Sequence, residues 1–254
     1  MNFKIKLGFK KSTEDHRDFK YNIPLQKISL PSHYTLENKI RQIFTQSWND
    51  CVCNGTSNLI CSLDKDNNKI NTSSRLFLYY NVRQIEENGS EYIDEGCTIR
   101  GCMKSITKYN FIDEQIYNYD SKNVYNPPQL EIYELAKNNK YHINYYRNVV
   151  NSEYNLKYII SQANLCIVFG AQLFESFTNL DHNFCVPDPD VINEKCIGGH
   201  AMIICQYSDV LQCFGVINSW GTGWAKNGMH YMSYKYICSD LCSDFWCISN
   251  LEKD

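Results

Sequence analysis

The sequence lacks the features that mark several classes of protein. None of its stretches approaches the roughly 18 consecutive apolar residues of a membrane-spanning helix, so we expect no membrane partner. Basic residues are not in excess, with 25 Lys and Arg against 28 Asp and Glu, so we expect no nucleic-acid partner. The segment 1–11 has no apolar core of a secretory signal, and we therefore expect an intracellular or virion-associated protein rather than a secreted one.

The composition is that of a globular protein, with 43% hydrophobic and 21% charged residues in 254. The 13 cysteines are an odd number, so at least one thiol is unpaired within the chain. Cys238, Cys242 and Cys247 are clustered, but their spacing does not form the two-plus-two pattern of a zinc site, and we expect no metal and no cofactor. A disulfide between Cys185 and Cys196 would require an oxidising compartment.

The two halves of the chain differ in their hydrophobic pattern. Apolar residues recur at helical spacing in the first half, which predicts four helices that begin near Asp50, Ser74, Thr98 and Pro128. Asn49 or Asp50 is expected to cap the first helix. Strands are predicted in the second half, over residues 165–173, 201–207, 212–218 and 228–236. This segregation indicates an α+β fold with two lobes, and a cleft between lobes is where a site is expected.

Three residues could carry chemistry, each with a structural alternative. Cys51 begins the first predicted helix, whose dipole favours a thiolate, although any one of 13 cysteines could be a buried structural residue. His200 follows Gly198 and Gly199, where a substrate backbone could approach closely, but it could also be an ordinary core histidine. Asn218 could orient His200 or simply form a turn. If the two side chains meet, Trp220 would shield their hydrogen bond from water.

The order of these residues points to a known family. A Cys-His-Asn set performs acyl transfer in papain-like enzymes, where His and Asn follow the cysteine by roughly 130–150 residues or somewhat more, as they do here. Residues 198–232 (GGHAMIICQYSDVLQCFGVINSWGTGWAKNGMHYM) resemble the histidine and asparagine blocks of papain-like cysteine peptidases. Several further segments resemble a bacterial and viral branch of that family. They are QSWNDCVCN at 46–54, SRLFLYYN at 74–81, DEGCTIRGCMKSITKY at 94–109 and CIVFGAQLFESF at 166–177.

The resemblance implies a helical lobe, a β-barrel-like lobe and peptide-bond hydrolysis in the cleft between them. Cys51 and His200 would form a thiolate–imidazolium pair oriented by Asn218, and an acyl-enzyme would form on Cys51. The Gln46 side chain and the Cys51 backbone N–H would stabilise the oxyanion. The substrate would be a peptide or protein.

Gly96 and Gly199 are expected to contact that substrate. The resemblance implies that Gly96 pairs with the extended substrate backbone, while a plain turn glycine is the alternative.

The segment before the nucleophile departs from the family pattern. The Gly-rich loop is replaced by Ser-Trp-Asn-Asp, and Gln46 lies five rather than six residues before Cys51. Cys53, seven residues after Gln46, is therefore a rival nucleophile. We favour Cys51 because CVCN resembles the CVAN of the branch. A catalytically weak relative with a binding or structural role is the alternative to a peptidase.

The expected domain organisation is a peptidase domain preceded by a short arm. Residues 1–29 are predicted to form the arm, which is not an independent folding unit. Residues 30–254 form the domain, mainly helical over 30–138 and mainly strand over 139–254. The arm could be a regulatory or substrate-mimicking segment, but we expect it to be solvated and to pack on one lobe.

Overall fold

A computed structural model describes residues 5–64, 72–86 and 93–253 of the chain. The α+β prediction is confirmed, because a helical lobe packs against an antiparallel sheet. The described helices are α1 (Cys51–Cys61), α2 (Arg75–Glu86), α3 (Ile99–Tyr109), α4 (Lys122–Tyr125), α5 (Leu130–Lys137), α6 (Glu153–Ser161) and α7 (Tyr234–Ile237). Among these described residues, none of the helices is both long and apolar enough to cross a membrane.

The strands form one large sheet and one small one. They are β1 (His33–Thr35), β2 (Tyr141–His142), β3 (Tyr146–Asn148), β4 (Ile167–Phe174), β5 (Cys196–Ser208), β6 (Cys213–Ile217), β7 (Met229–Ser233), β8 (Cys242–Ile248) and β9 (Glu252–Lys253). The large sheet has the order β3-β8-β4-β5-β6-β7, with β1 paired to the outer part of β5, and β2 pairs with β9 separately. β1 therefore joins the strand lobe, although its residues fall in the range predicted to be mainly helical.

The helix α1 is the element that joins the two lobes. All eleven of its residues are buried, and Gly55 lets the helix approach the sheet so closely that an added Cβ would lie 3.3 Å from Val168. The first residue of this helix is thereby fixed against β5. The burial explains why the helix is hydrophobic on several sides rather than on one stripe.

Local signals predicted four of the described helices and four of the described strands, namely α1, α2, α3, α5, β4, β5, β6 and β7. α3 begins after Thr98, whose hydroxyl accepts a hydrogen bond from the backbone N–H of Gly101. The last predicted strand, 228–236, is too long, because Ser233 caps α7 and ends β7. The helix α6 was not predicted, although Ser152 caps it and its apolar residues Leu156, Ile159 and Ile160 follow helical spacing.

The N-terminal arm does not pack on one lobe as expected. Its described part forms isolated bridges with the domain, one at Cys97 in the helical lobe and one at Asn148 in the strand lobe. Other contacts also hold it: Asp18 pairs with Arg100 of α3, and the backbone N–H of Ser12 donates to Asp244 of β8. The arm therefore runs between the lobes and contacts both.

Candidate active site

Cys51 and His200 come from different lobes and meet where α1 abuts β5. Cys51 is the first residue of α1, and His200 lies in β5. The backbone N–H of Ala201, the next residue along β5, donates to Cys51 Sγ at 3.4 Å. Both side chains are fully buried. The structure therefore brings the predicted nucleophile to the strand that carries the predicted base.

The hydrogen bonds of Asn218 define the orientation of His200. His200 Nε2 lies 2.7 Å from Asn218 Oδ1, and the same oxygen accepts from the backbone N–H of Ser219 at 2.7 Å. Asn218 Oδ1 can only accept hydrogen bonds, so the proton of the neutral imidazole is assigned to Nε2, which faces this oxygen. The lone pair on Nδ1 is then free. The Trp220 ring stacks on the imidazole at 5.0 Å, between the ring centroids. Trp220 thus lies against the imidazole of the pair that the sequence predicted it to shield.

Gln46 is fixed beside these residues through the segment that follows β6. Its backbone N–H donates to the Ser219 carbonyl at 2.9 Å, and its side-chain oxygen accepts from the Ser219 hydroxyl. The side-chain amide Nε2 is then directed at two carbonyls, that of Trp48 at 2.9 Å and that of Lys6 in the arm at 3.2 Å. One of its two acceptors is therefore a peptide carbonyl of the arm.

The rival nucleophile Cys53 has different neighbours. Its thiol is fully buried and lies against the thiols of Cys97 and Cys102, and burial raises its pKa well above the ordinary value. The thiol therefore faces the interior of the helical lobe, whereas Cys51 Sγ faces β5.

The remaining cysteines are also free thiols. Cys185 lies in hydrogen-bonding contact with the thiol of Cys213 rather than with Cys196, so the structure does not pair the two residues considered from the sequence. Over the described ranges, no three His, Cys, Asp or Glu side chains converge as a metal ion would require.

The arm occupies the cleft directly over Cys51. Phe9 is bridged to Cys97 in parallel, with the Cys97 N–H donating to the Gly8 carbonyl at 2.9 Å and the Lys10 N–H donating to the Cys97 carbonyl at 3.0 Å. On the other side the Phe9 N–H donates to the Gly199 carbonyl at 3.1 Å. The Cys51 sulfur accepts hydrogen bonds from the backbone amides of Ala201 and Gly8.

Glycines line the path of the arm because it approaches their backbone closely. A Cβ on Gly96 would lie 2.0 Å from the Gly8 carbonyl oxygen, and one on Gly199 would lie 2.4 Å from the Phe9 carbonyl oxygen. Gly96 also has a φ of 82°, which favours glycine. The Phe9 ring lies over Gly170, where a Cβ would come within 2.0 Å of the ring. Both predicted substrate-contacting glycines thus contact an extended peptide, which here is the protein's own arm.

With the arm in place, burial favours the neutral forms of the two central groups. Burial raises the pKa of the Cys51 thiol to about 12, although the Ala201 and Gly8 amides act in the opposite direction. Burial lowers the pKa of His200 to about 4, against the effect of its hydrogen bond to Asn218. The covered site therefore holds a thiol beside a neutral imidazole at neutral pH.

A second buried histidine lies behind the site. His230 of β7 is fully buried and packs against the Phe177 ring. The same Phe177 ring also packs against Trp220, the residue on which His200 stacks. Its Nδ1 accepts from Trp224 Nε1 at 3.4 Å, and burial lowers its pKa to about 3. The unfolded chain binds a proton on this residue below pH of about 6.5 while the folded chain does not, so folding stability must fall as the pH drops from about 6.5 toward 3.

Replacing His230 with leucine is therefore expected to make the protein less sensitive to acid. The titration of His230 lowers the free energy of unfolding by about 1.4 kcal/mol for each pH unit in that window, and leucine removes it. The measurement is the melting temperature from pH 7 to pH 4.5. His182→Leu, at an exposed histidine, serves as the control and should keep the wild-type slope. Equal slopes for His230→Leu and wild type would contradict the assignment.

Two groups at the site were not predicted from the sequence. The arm residues Gly8 and Phe9 lie in a segment of alternating basic and apolar residues, a pattern typical of an extended strand that could have suggested a peptide in a cleft. Tyr119, whose hydroxyl contacts both Ser47 and Asp50, carries no local signal, because nothing near it in sequence belongs to the site.

Comparisons with known proteins place the chain among cysteine peptidases. No family model matches it. The peptidase C1-like protein L477 of Acanthamoeba polyphaga mimivirus, described as uncharacterized, is 33% identical over 232 residues, which cover 85% of this chain and 72% of that protein. Xylellain, a cysteine protease from Xylella fastidiosa, superposes with a TM-score of 0.87 at 28% identity, covering 96% of both chains.

The fold also extends to more distant proteins. The bromelain protease of Ananas comosus, solved in complex with the inhibitor E64, superposes with a TM-score of 0.65 over 87% of this chain and 100% of its own. At 16% identity this likeness concerns the fold alone.

Proposed function

The chain belongs to the papain-like cysteine peptidases, and on that premise we propose that it hydrolyses peptide bonds through Cys51, His200 and Asn218, with Gln46 as an oxyanion donor. The observation that carries the proposal is the His200–Asn218 hydrogen bond of 2.7 Å, which leaves Nδ1 of His200 free. The next residue, Ala201, donates its N–H to Cys51 Sγ. This is the arrangement that a base needs to take a proton from a thiol.

The proposed reaction proceeds through an acyl-enzyme. His200 Nδ1 takes the thiol proton, and the Cys51 thiolate attacks the scissile carbonyl carbon. The oxyanion is stabilised by Gln46 Nε2 and the Cys51 backbone N–H. His200 then protonates the leaving amine, and the thioester forms as the C–N bond breaks. Water, deprotonated by His200, hydrolyses the thioester and regenerates the thiol.

The contact between Gln46 and the arm supports its role as a donor. Gln46 Nε2 donates to the Lys6 carbonyl, a peptide carbonyl lying in the cleft, as it would to a substrate. A donor of this kind typically contributes about 10²–10³ in rate when it is aligned with the developing negative charge.

We also propose that the arm keeps the site inactive while it occupies the cleft. The arm directs the Gly8 N–H, a donor, at Cys51 Sγ. The arm also excludes water from the thiol and imidazole, which favours their neutral forms. The arm therefore both blocks the entry of substrate and disfavours the thiolate–imidazolium pair of Cys51 and His200.

Labelling with a thiol-directed epoxide inhibitor tests the peptidase proposal. At neutral pH in reductant, one adduct per chain is expected at Cys51, mapped by mass spectrometry, and His200→Ala should lose it. The same labelling is also done on Gly8→Ala, in which the arm is expected to leave the cleft. A negative result then cannot be attributed to the arm blocking the inhibitor. Absence of any adduct in both proteins would overturn the proposal in favour of a binding or structural role, whereas an adduct at Cys53 would reassign the nucleophile.

A further inference from the structure

The loop between Gln46 and Cys51 is held by tertiary contacts rather than by glycines. The Ser47 N–H donates to the Tyr119 hydroxyl at 3.0 Å, and that hydroxyl donates to Asp50 Oδ2 at 2.8 Å. One hydroxyl group therefore joins the residue that follows Gln46 to the residue that precedes Cys51. These are the neighbours of the two proposed oxyanion donors.

Asp50 is not used as an ordinary helix cap. It occupies the position before α1, but its side chain makes no capping bond to the helix, because the carboxylate turns to Tyr119 instead. The side chain is fully buried, its Oδ1 has no hydrogen-bond partner, and burial raises its pKa to about 7. A buried carboxylate that forgoes capping is costly, which indicates a role other than stabilising α1.

Tyr119 is itself held rigidly. The Arg75 guanidinium lies 3.5 Å from the centroid of its ring, and the Trp48 ring packs against it at 4.8 Å. Arg75 in turn donates two hydrogen bonds to Glu114 at 2.7 Å and one to Asn54 of α1 at 3.0 Å. The hydroxyl is thus fixed relative to the helix that carries Cys51.

We propose that Tyr119 and Asp50 are positioning residues that align Gln46 Nε2 and the Cys51 N–H for oxyanion stabilisation. This inference rests on the proposed peptidase function. The loop has no glycine between Gln46 and Cys51, and the hydroxyl–carboxylate pair fixes both of its ends instead. Without the hydroxyl, the loop relaxes and the two donors no longer converge on one oxygen, and a displacement of about 1 Å can cost about 10² in rate.

Tyr119→Phe isolates this role because it removes one oxygen and keeps the ring. In the Gly8→Ala background, kcat/KM for a fluorogenic Phe-Arg peptide amide should fall about tenfold to hundredfold, mainly through kcat. Alkylation of Cys51 by iodoacetamide passes through no oxyanion and should stay within about twofold. The ratio of hydrolysis to alkylation rates therefore reports alignment of the donors, and loss of folded protein would lower both rates together.

Matched variants complete the test. Tyr117→Phe removes a hydroxyl that bonds the Asn123 and Asn126 carbonyls in the same lobe, and it should keep the parent ratio. Asp50→Ala should lower the ratio like Tyr119→Phe, while Asp50→Asn, which still offers an oxygen to Tyr119, should restore it. Should Tyr119→Phe fail to fold, the two Asp50 variants decide the question.

The outcomes separate the two proposals. If the Gly8→Ala parent neither hydrolyses the peptide amide nor forms the epoxide adduct, the peptidase proposal fails and this inference falls with it. If the parent hydrolyses the amide but the ratio is unchanged in Tyr119→Phe and Asp50→Ala, the inference alone is overturned. Parallel losses of hydrolysis and alkylation would also overturn it, because the pair would then position the thiol or support the fold.

Discussion

Replacement of Gly8 by alanine is expected to raise the peptidase activity of the full chain by about tenfold to hundredfold. A Cβ at this position would lie 1.7 Å from the backbone carbonyl oxygen of Asn49, which cannot move aside as a flexible side chain could. Overpacking of this kind costs about 1–3 kcal/mol, and each 1.4 kcal/mol shifts a population about tenfold. The arm should therefore leave the cleft more often, and substrate should enter it.

The rate of hydrolysis of a Phe-Arg peptide amide measures this effect. Lys11→Ala is the matched control, because it removes an exposed side chain from the same arm and leaves the backbone over Cys51 in place. Equal activity of Gly8→Ala and wild type would mean that the arm does not limit access to the site.

Opening the cleft should also change the chemistry of the pair. Returning water to the site removes the burial that raises the pKa of Cys51 and lowers that of His200. The pKa of Cys51 should fall, so the thiolate becomes reactive at lower pH. Iodoacetamide alkylation of Gly8→Ala should accordingly reach its half-maximal rate at a lower pH than alkylation of wild type, and an unchanged midpoint would contradict this account.

The residues around His200 and Asn218 could be predicted because their spacing is local. The two residues lie on paired strands β5 and β6 or directly after them, and the Gly-Gly and Ser-Trp-Gly segments beside them are recognisable on their own. The position of the arm could not be predicted in the same way. Its alternating pattern indicates an extended backbone, but an extended backbone can pair with any exposed edge, and only the assembled cleft selects this one.

The loop before Cys51 shows a second limit of local reasoning. Sequence rules predict that Asn49 or Asp50 caps α1, and Asp50 does occupy the N-cap position, but its side chain makes no capping hydrogen bond. The Asn49 side chain donates to the Asp94 carbonyl at 2.7 Å, and Asp50 bonds Tyr119, which is distant in sequence. Tertiary partners replaced a capping bond that is typically worth about 1 kcal/mol. Tertiary hydrogen bonds are expected to take the place of a local cap where the loop before a helix must be held in one geometry.

The largest loss of activity apart from that of Cys51→Ala is expected from replacing His200. In the Gly8→Ala background, His200→Gln should lower kcat/KM for the peptide amide by about 10²–10⁴, the usual contribution of a positioned general acid and base. The glutamine side chain fills much of the imidazole volume but cannot accept the thiol proton. Alkylation of Cys51 at neutral pH should fall as well, because the imidazolium that stabilises the thiolate is lost.

His230→Gln provides a control with the same chemical change in the same aromatic cluster. Both histidines are fully buried, and both lie close to Trp220 or its partner Phe177, so the two variants carry comparable costs of folding. Only His200 bonds Asn218 and lies next to the Ala201 amide that contacts Cys51 Sγ. Activity should therefore survive within about tenfold in His230→Gln. Equal losses in the two variants would mean that His200 acts through packing, and a loss confined to His200→Gln would identify its imidazole as the base.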